Sequence, residues 1–412
     1  MIRKIITGIL SLTAAICILA GCGRVSEETL VSEVSEDENV SADGVQQHLI
    51  GVVTYDFSDA EVAGFRNYLQ NYISQCFPGV EFLYTDEVTS LEEEIEELHA
   101  MNDAGVEGIL SFVTYDLYEA VNYCSENDIY YMMASGTISD KDFNKVSENE
   151  HFVGVIGPGN EMEYEAGRKL AGSFSHKTEN NAYFVLSGGA YMGNEMHRLR
   201  TEGVLDKLQE DYGVKFAQTS QEIAESTEPT IVQAGDLTVC ICPGFMNVSE
   251  HYQLAVSSLK SGSYSAAMAV MAAGNFPEEC ETVHTDFGMI DSFTEENQFG
   301  FINGRLSYLA GKYSSIIGPS FVAMYNAVCG YADEFRDNGK AFSLQQGFWE
   351  ASSLNEYIEK YSLASGIYVN AYNYNDLQSA CKVYNPNASL EDLRKLTDAY
   401  SFEAASERRK MN

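Results

Sequence analysis

The chain has 412 residues and a formal net charge of −36, set by 61 acidic against 25 basic side chains. So acidic a surface repels nucleic acid and anionic lipid headgroups, and neither is expected as a partner. Hydrophobic residues make up 45% of the chain, enough for a real core, and the length calls for two domains rather than one.

In chain order, Arg3 and Lys4 precede an apolar run from Ile5 to Ala20 that ends Leu19-Ala20-Gly21-Cys22. A charged start, a short apolar stretch and small residues before the cut describe an export signal over 1–21. The run is shorter than the ~20 residues a membrane-spanning helix needs. The Leu-Ala-Gly-Cys ending resembles the lipobox of bacterial lipoproteins. That resemblance implies acylation of the Cys22 thiol and a mature protein on the extracellular face of the cell membrane, held by its lipid anchor. Residues 22–47 are Ser-, Glu-, Asp- and Val-rich without an aromatic residue, which reads as a disordered acidic tether.

Order begins at His48. Leu49 to Tyr55 reads as a strand buried on both faces, followed by a helix with Val62, Phe65, Tyr68, Leu69 and Ile73 on one side. Alternation continues with a strand over Val80 to Thr85, and then a helix from Ser90 to Asn102. Ser90 is its expected N-cap, and Glu93 completes a capping box. Further strands are read at Val106–Val113, Ile129–Ala134 and His151–Ile156, with a helix at Asp116–Asn127. A second set follows: helix Glu161–Phe174, strand Ala182–Ser187, helix Asn194–Glu210, and strands at Val214–Gln218 and Leu237–Cys242. After them come helix His251–Lys260 and strands at Ala266–Ala272 and Thr282–Asp286. Regular alternation predicts an α/β protein with two Rossmann-like lobes, each built on a parallel doubly wound sheet. The lobes are placed at 48–158 and 159–311, with a return to the first lobe over 312–343. The last strands leave one conflict. About nine residues between Ala272 and Thr282 are too few for the crossover that a parallel pair requires. Residues 344–412, which hold the only tryptophan, Trp349, read as a C-terminal extension packed on one lobe.

Nine cysteines are present. Cys17 leaves with the signal and Cys22 is the acylation site. The other seven are scattered and odd in number, which argues against a disulfide framework and for buried free thiols. Cys240 and Cys242 lie two apart on one strand face, with no histidine at metal-ligand spacing beside them.

The motifs of common enzyme classes are missing: no Gly-x-Ser-x-Gly elbow, no P-loop, no His-Glu-x-x-His. Gly154 to Asn160 contains glycines after a strand, but Pro158 and the spacing exclude a dinucleotide turn. No cofactor, metal or catalytic residue is assigned, and the chain is read as a binding protein rather than an enzyme. Tyr55-Asp56-Phe57 follows the first strand and Ser187-Gly188-Gly189 the sixth. His197-Arg198-Leu199-Arg200-Thr201-Glu202-Gly203 lies on the next helix. Later come Thr285-Asp286-Phe287-Gly288, Ile302-Asn303-Gly304-Arg305-Leu306 and Ala310-Gly311-Lys312-Tyr313. In this order they resemble the type I periplasmic sugar-binding proteins and the ligand-binding cores of lactose-repressor-type regulators, over His48 to Phe335.

The resemblance implies a ligand site between the lobes. Tyr55 and Phe57 would lie against a sugar ring with Asp56 between them. Arg200, with Arg198 second, would grip hydroxyls, and Asp286, Asp116 and Asn275 would accept or donate around the ring. Lys312 stands where the family more often has glutamine. Aromatic planes cover apolar ring faces, and charged side chains satisfy hydroxyls through hydrogen bonds worth ~1.5–3 kcal/mol. On this reading Arg200→Ala weakens binding and leaves the melting temperature nearly unchanged. The implied function is a lipid-anchored receptor that hands a small polar ligand, a sugar, to an ABC permease. Three rivals remain: a nucleoside-binding lipoprotein of the same fold, a receptor that signals to a membrane kinase, and a surface hydrolase.

Overall fold

The computed structural model describes residues 46–411, apart from 57, 176–180, 189–194, 244–249, 262–263, 275, 277–285 and 366–370. The expectations for the signal, the tether, Cys22, Phe57 and Asn275 lie outside the described residues.

In the first lobe β1 (His48–Thr54), β2 (Val80–Glu87), β3 (Gly108–Ser111), β4 (Tyr130–Ala134) and β5 (Phe152–Gly157) are joined by β12 (Phe342–Gln345) from far along the chain. The sheet order is β12-β5-β4-β3-β1-β2, and every pairing is parallel. Such a sheet is covered on both faces, and β1 shows how. Ile50 and Val52 pack with Phe65, Leu69 and Leu110 on one side, while Val53 packs with Leu98, Ile109 and Val121 on the other. The covering helices start at side-chain caps, because the first backbone N–H groups of a helix have no partner within it. Asp59 caps Ala60–Tyr68, Ser90 caps Leu91–Asp103 and Asp116 caps Leu117–Glu126. Glu93 completes no box with Ser90; its carboxylate instead accepts from Thr89 N at 2.8 Å.

The second lobe contains β6 (Ala182–Ser187), β7 (Thr230–Ala234), β8 (Leu237–Pro243), β9 (Ala266–Ala269), β10 (Asp286–Ser292), β11 (Tyr308–Lys312) and β13 (Trp349–Ala351). Its order is β13-β11-β10-β9-β6-β8-β7, parallel throughout except at the two edges. Both sheets thus fit the expected doubly wound architecture. Three strand assignments change. Val214–Gln218 forms no strand: Gly213, at φ 64°, ends the preceding helix and Phe216 tucks into the core from a loop. The edge strand is β7, which pairs back on β8 through Gly235 at φ 58°. The strand read at Thr282–Asp286 begins instead at Asp286 and runs to Ser292, while β9 already ends at Ala269. The longer connection removes the spacing conflict.

Two helices of the second lobe, Asn160–Gly172 and Glu195–Tyr212, touch backbone to backbone. A Cβ on Gly167 would lie 1.9 Å from the Arg200 carbonyl oxygen, and one on Gly203 2.0 Å from that of Tyr164. Only glycine permits this approach. It brings the first turn of one helix against the middle of the other.

Between the two sheets the chain passes three times: from β5 into helix Asn160–Gly172, from β11 into the Ser314–Ile317 turn and helix Gly318–Asn326, and from β12 into β13. The third passage falls where the extension was expected to begin. The extension touches both lobes rather than one. On the first lobe, Tyr68 donates to Tyr372 O at 2.7 Å, and Asn326 exchanges bonds with Ala380 O and Lys382 N. On the second, Tyr357 in helix Leu354–Ser365 donates to Thr294 O at 2.6 Å and stacks on Phe293 at 5.0 Å. One carbonyl, that of Tyr400, accepts from Tyr313 Oη at 3.0 Å and Trp349 Nε1 at 2.8 Å. These belong to the second and third passages, and their rings stack at 3.9 Å.

Candidate functional site

In parallel open sheets the loops after the strand C-termini face the ligand crevice. Here the C-terminal ends of β1, β4, β10 and β11 meet where the lobes face each other. Lys312, the last residue of β11 and only 7% exposed, donates from Nζ to Ser135 O after β4 at 2.8 Å. It also pairs with Glu61 at 3.3 Å. Both partners belong to the first lobe, so Lys312 ties the lobes together.

Carboxylates surround this contact. Asp59 caps the helix that carries Glu61, and Asp291 is the penultimate residue of β10. Burial raises the Asp291 carboxyl to about 7, helped by Asp59, Glu61 and Glu296 and opposed by the Asn297 amide 2.6 Å from Oδ2. Burial likewise raises Asp59 to about 6, with Glu61 and Asp56 adding to the rise and the capped N–H groups of Val62 and Glu61 opposing it. The Tyr55 phenol, just beyond β1, is held well above its ordinary range by burial and then by Glu61, Asp59, Asp291 and Asp56. Carboxyl groups from both lobes therefore share one desolvated volume, where a charge is costly.

A second network lies beside the first passage. Arg200 is 4% exposed, and its Nε donates to Glu163 at 2.5 Å while a terminal nitrogen donates to Val270 O at 2.9 Å. Its guanidinium lies 5.3 Å from the centre of the Phe348 ring. Glu163 also accepts from Thr137 Oγ1 of the first lobe at 2.8 Å. His197 is pulled down to about 3 by burial and then by Arg200 and Lys312, so both cations lie in its neighbourhood.

Tyr55, Asp56, Arg200 and Lys312 are the expected site residues found at these facing strand ends and their networks. Asp56 folds back, accepting from the backbone and hydroxyl of Ser58, both at 2.7 Å. The other expected residues are directed elsewhere. Arg198 pairs with Glu195 and Glu202 on its own helix. Asp116 accepts from Tyr118 N and Glu119 N as a cap. Asp286 is exposed at the first residue of β10, the end of the strand remote from Asp291.

Unpaired buried polar atoms, which also occur elsewhere, as at Tyr84 and Ser320, include four at strand ends. Among the described residues, Thr54 Oγ1 ends β1, Ser135 Oγ follows β4, Asn160 Oδ1 follows β5 and Ser187 Oγ ends β6, each buried without a hydrogen-bond partner. No group of three His, Cys, Asp or Glu among the described residues could hold a metal ion. Among them, too, no helix is long and apolar enough to cross a membrane. A cavity of about 180 Å³ lies on the second lobe between β10 and helix Glu295–Ile302, lined by residues including Phe287, Glu296 and Leu306 and by none of the expected site residues.

No protein-family model and no curated protein matches the sequence. Solved structures do match in shape. A carbohydrate transporter solute binding protein from Chloroflexus aurantiacus, in complex with D-glucose, superposes with a TM-score of 0.55 at 14% identity, over 79% of this chain and 97% of that one. An ABC transporter solute binding protein from Bacillus halodurans C-125 with bound myo-inositol gives 0.54 at 15% identity, over 75% and 96%. A carbohydrate transporter from Acidothermus cellulolyticus 11B in complex with myo-inositol gives 0.54 at 11%, over 78% and 99%. The chain has the type I periplasmic-binding-protein fold. Those proteins are covered almost end to end, so the remainder of this chain has no counterpart in them.

Within this fold, sequence reading missed Asp59, Glu61, Ser135, Thr137, Glu163 and Asp291. Asp59 and Glu61 stand at the start of a helix, where acids are common for the sake of the helix alone. Asp291 lies in Gly288-Met289-Ile290-Asp291-Ser292, an apolar run broken by an acid one residue before its end, and that acid was the available signal.

Proposed function

We propose that this protein is a solute receptor that closes its two lobes over a small, hydroxyl-rich ligand, a sugar or cyclic polyol, and releases it unchanged. The observation that carries the reading is the set of unpaired polar groups, Thr54, Ser135, Asn160 and Ser187, at the strand ends of both lobes. Buried polar groups without partners are rare and costly. A polyol supplies many donors and acceptors at once, and the carboxylates of Asp59, Glu61 and Asp291 are acceptors for its hydroxyls. The sugar and inositol complexes of proteins with this fold support the same class. The ligand draws contacts from each lobe only when they are closed, so binding shifts the population toward closure.

The lipobox-like Leu19-Ala20-Gly21-Cys22 supports export and anchoring through an acylated Cys22, which puts the receptor at the outer face of the membrane. From there the closed, loaded form is handed to an ABC permease. A melting-temperature screen of the purified chain against monosaccharides, inositols and nucleosides tests the ligand class. The reading expects a rise with a sugar or inositol, because a ligand that binds only the folded state adds RT ln(1 + [L]/Kd) to stability. A response to nucleosides alone would replace this ligand class.

A further inference from the structure

At the pole of the first lobe away from the ligand crevice, three side chains form a relay. His48 opens β1, and Glu107 immediately precedes β3, the strand paired with β1; Glu107 N donates to Leu49 O at 2.9 Å. This register fixes the Glu107 carboxylate 2.6 Å from His48 Nδ1. The helix Gly318–Asn326 runs over β3, β4 and β5 and ends in a wide turn, Ala327–Tyr331, in which Gly330 has φ 86°. The turn places Cys329 Sγ 3.4 Å from His48 Nε2. His48 is 3% exposed, with its ring edge-on to Tyr325 at 5.8 Å. Cys329 itself is half-buried and unbridged. The sequence is therefore Cys329, His48, Glu107: a nucleophile, a base within its reach, and a carboxylate orienting the base.

We propose that Cys329 is an activated thiol and a site of covalent modification by small disulfides, with His48 as its proton acceptor and Glu107 as the positioning residue. The geometry separates it from the other half-buried free cysteine, Cys76, whose thiol is pushed up by burial. Reactive thiols lie beside a protonatable histidine and are partly exposed, whereas buried ones are inert. Burial pulls the His48 imidazolium down, but its bonds to Cys329 and Glu107 outweigh that and carry it to about 9. The other titratable groups around Cys329 are Tyr325 on its own helix and Cys381 and Tyr384 from the extension.

The step is an exchange. The proton shared by the pair rests on His48 Nε2, so the Cys329 sulfur meets the disulfide as a thiolate beside the imidazolium and attacks one of its sulfurs. The old S–S bond breaks as a new one forms to Cys329, and the departing thiolate takes the proton from His48. One thiol and one disulfide are consumed and one of each is produced, without net oxidation. β1 separates this pole from Tyr55 by ~20 Å at a strand's rise per residue, so the site is independent of solute binding and stands whichever ligand the crevice takes.

The test is the rate at which each cysteine of the full chain reacts with dithiodipyridine, a neutral disulfide, followed by peptide mapping across a pH series. At about pH 6 Cys329 is expected to react about tenfold or more faster than Cys76. Glu107→Gln should slow Cys329 by about tenfold at that pH and by less than about twofold near pH 9, where a free thiol ionises unaided. His48→Gln should do the same, and Cys329→Ser should remove the fast phase. Should the buried His48 variant fail to fold, the part-exposed Glu107 variant decides alone. A Cys329 rate equal to that of Cys76, or a pH profile unmoved by Glu107→Gln, would overturn the proposal.

Discussion

Arg200 is held by what surrounds it. Its guanidinium neutralises Glu163, which is fully buried, and bonds the Val270 carbonyl. Removing one partner of a buried ion pair strands the other charge, at a cost of ~3–5 kcal/mol. Arg200→Ala should therefore lower the melting temperature by many degrees in the absence of ligand, contrary to the expectation drawn from the sequence. A calorimetric scan of the variant checks this; an unchanged transition would mean that Glu163 finds another partner. Asp291 gives a prediction in pH. Its carboxyl is raised in the folded protein, to about 7, so the native state binds a proton that the unfolded chain has already lost above ~4. Its contribution is greatest below the unfolded value and fades as pH rises toward 7. Asp291→Asn should then gain stability relative to the parent chain between pH 4 and 7. Parallel denaturation curves at several pH values measure the difference, and a constant offset would remove Asp291 from the shared volume.

At the scale of elements, Gly167 and Gly203 set the contact between helices Asn160–Gly172 and Glu195–Tyr212. A methyl on either would meet a carbonyl oxygen at about 2 Å. Overpacking of this kind costs ~1–3 kcal/mol or more. Gly203→Ala should lower the urea midpoint accordingly and loosen the Arg200–Glu163 pair; a midpoint equal to the parent's would contradict the packing account. The elements were legible where periodicity was strong. β1 through β5 announce themselves because strands buried on both faces read as unbroken apolar runs, whereas the helix Asp140–Val146 between β4 and β5 was not read. β7 was not legible, because an edge strand with Ile231 at 67% exposure carries a weak pattern. The site was legible in part. Tyr55 follows β1 directly, so strand assignment located it; Lys312, the last residue of β11, came from the family resemblance, since no strand was read there. Asp286 was misplaced together with its strand, by the length of β10. Arg200 was placed on the correct helix, but its pairing with Glu163 depends on two helices touching through glycines 36 residues apart, which no local pattern reveals.

At the scale of the whole molecule, three passages and an extension that touches both lobes govern how far the halves can part. Tyr313 and Trp349, on two different passages, share the Tyr400 carbonyl, so the extension clasps the hinge rather than capping one lobe. Lys312, Glu61 and Ser135 meet only when the lobes are together, and the raised carboxyls of Asp59 and Asp291 oppose that meeting until further donors add to those of Val62, Glu61 and Asn297. The ligand supplies the further donors, so closure should follow loading. Small-angle X-ray scattering of the full chain, with and without a sugar or inositol that raises its melting temperature, measures this directly. Closure on the solute predicts a smaller radius of gyration in the loaded protein. A solute that stabilises the fold while the scattering curve stays unchanged would contradict it.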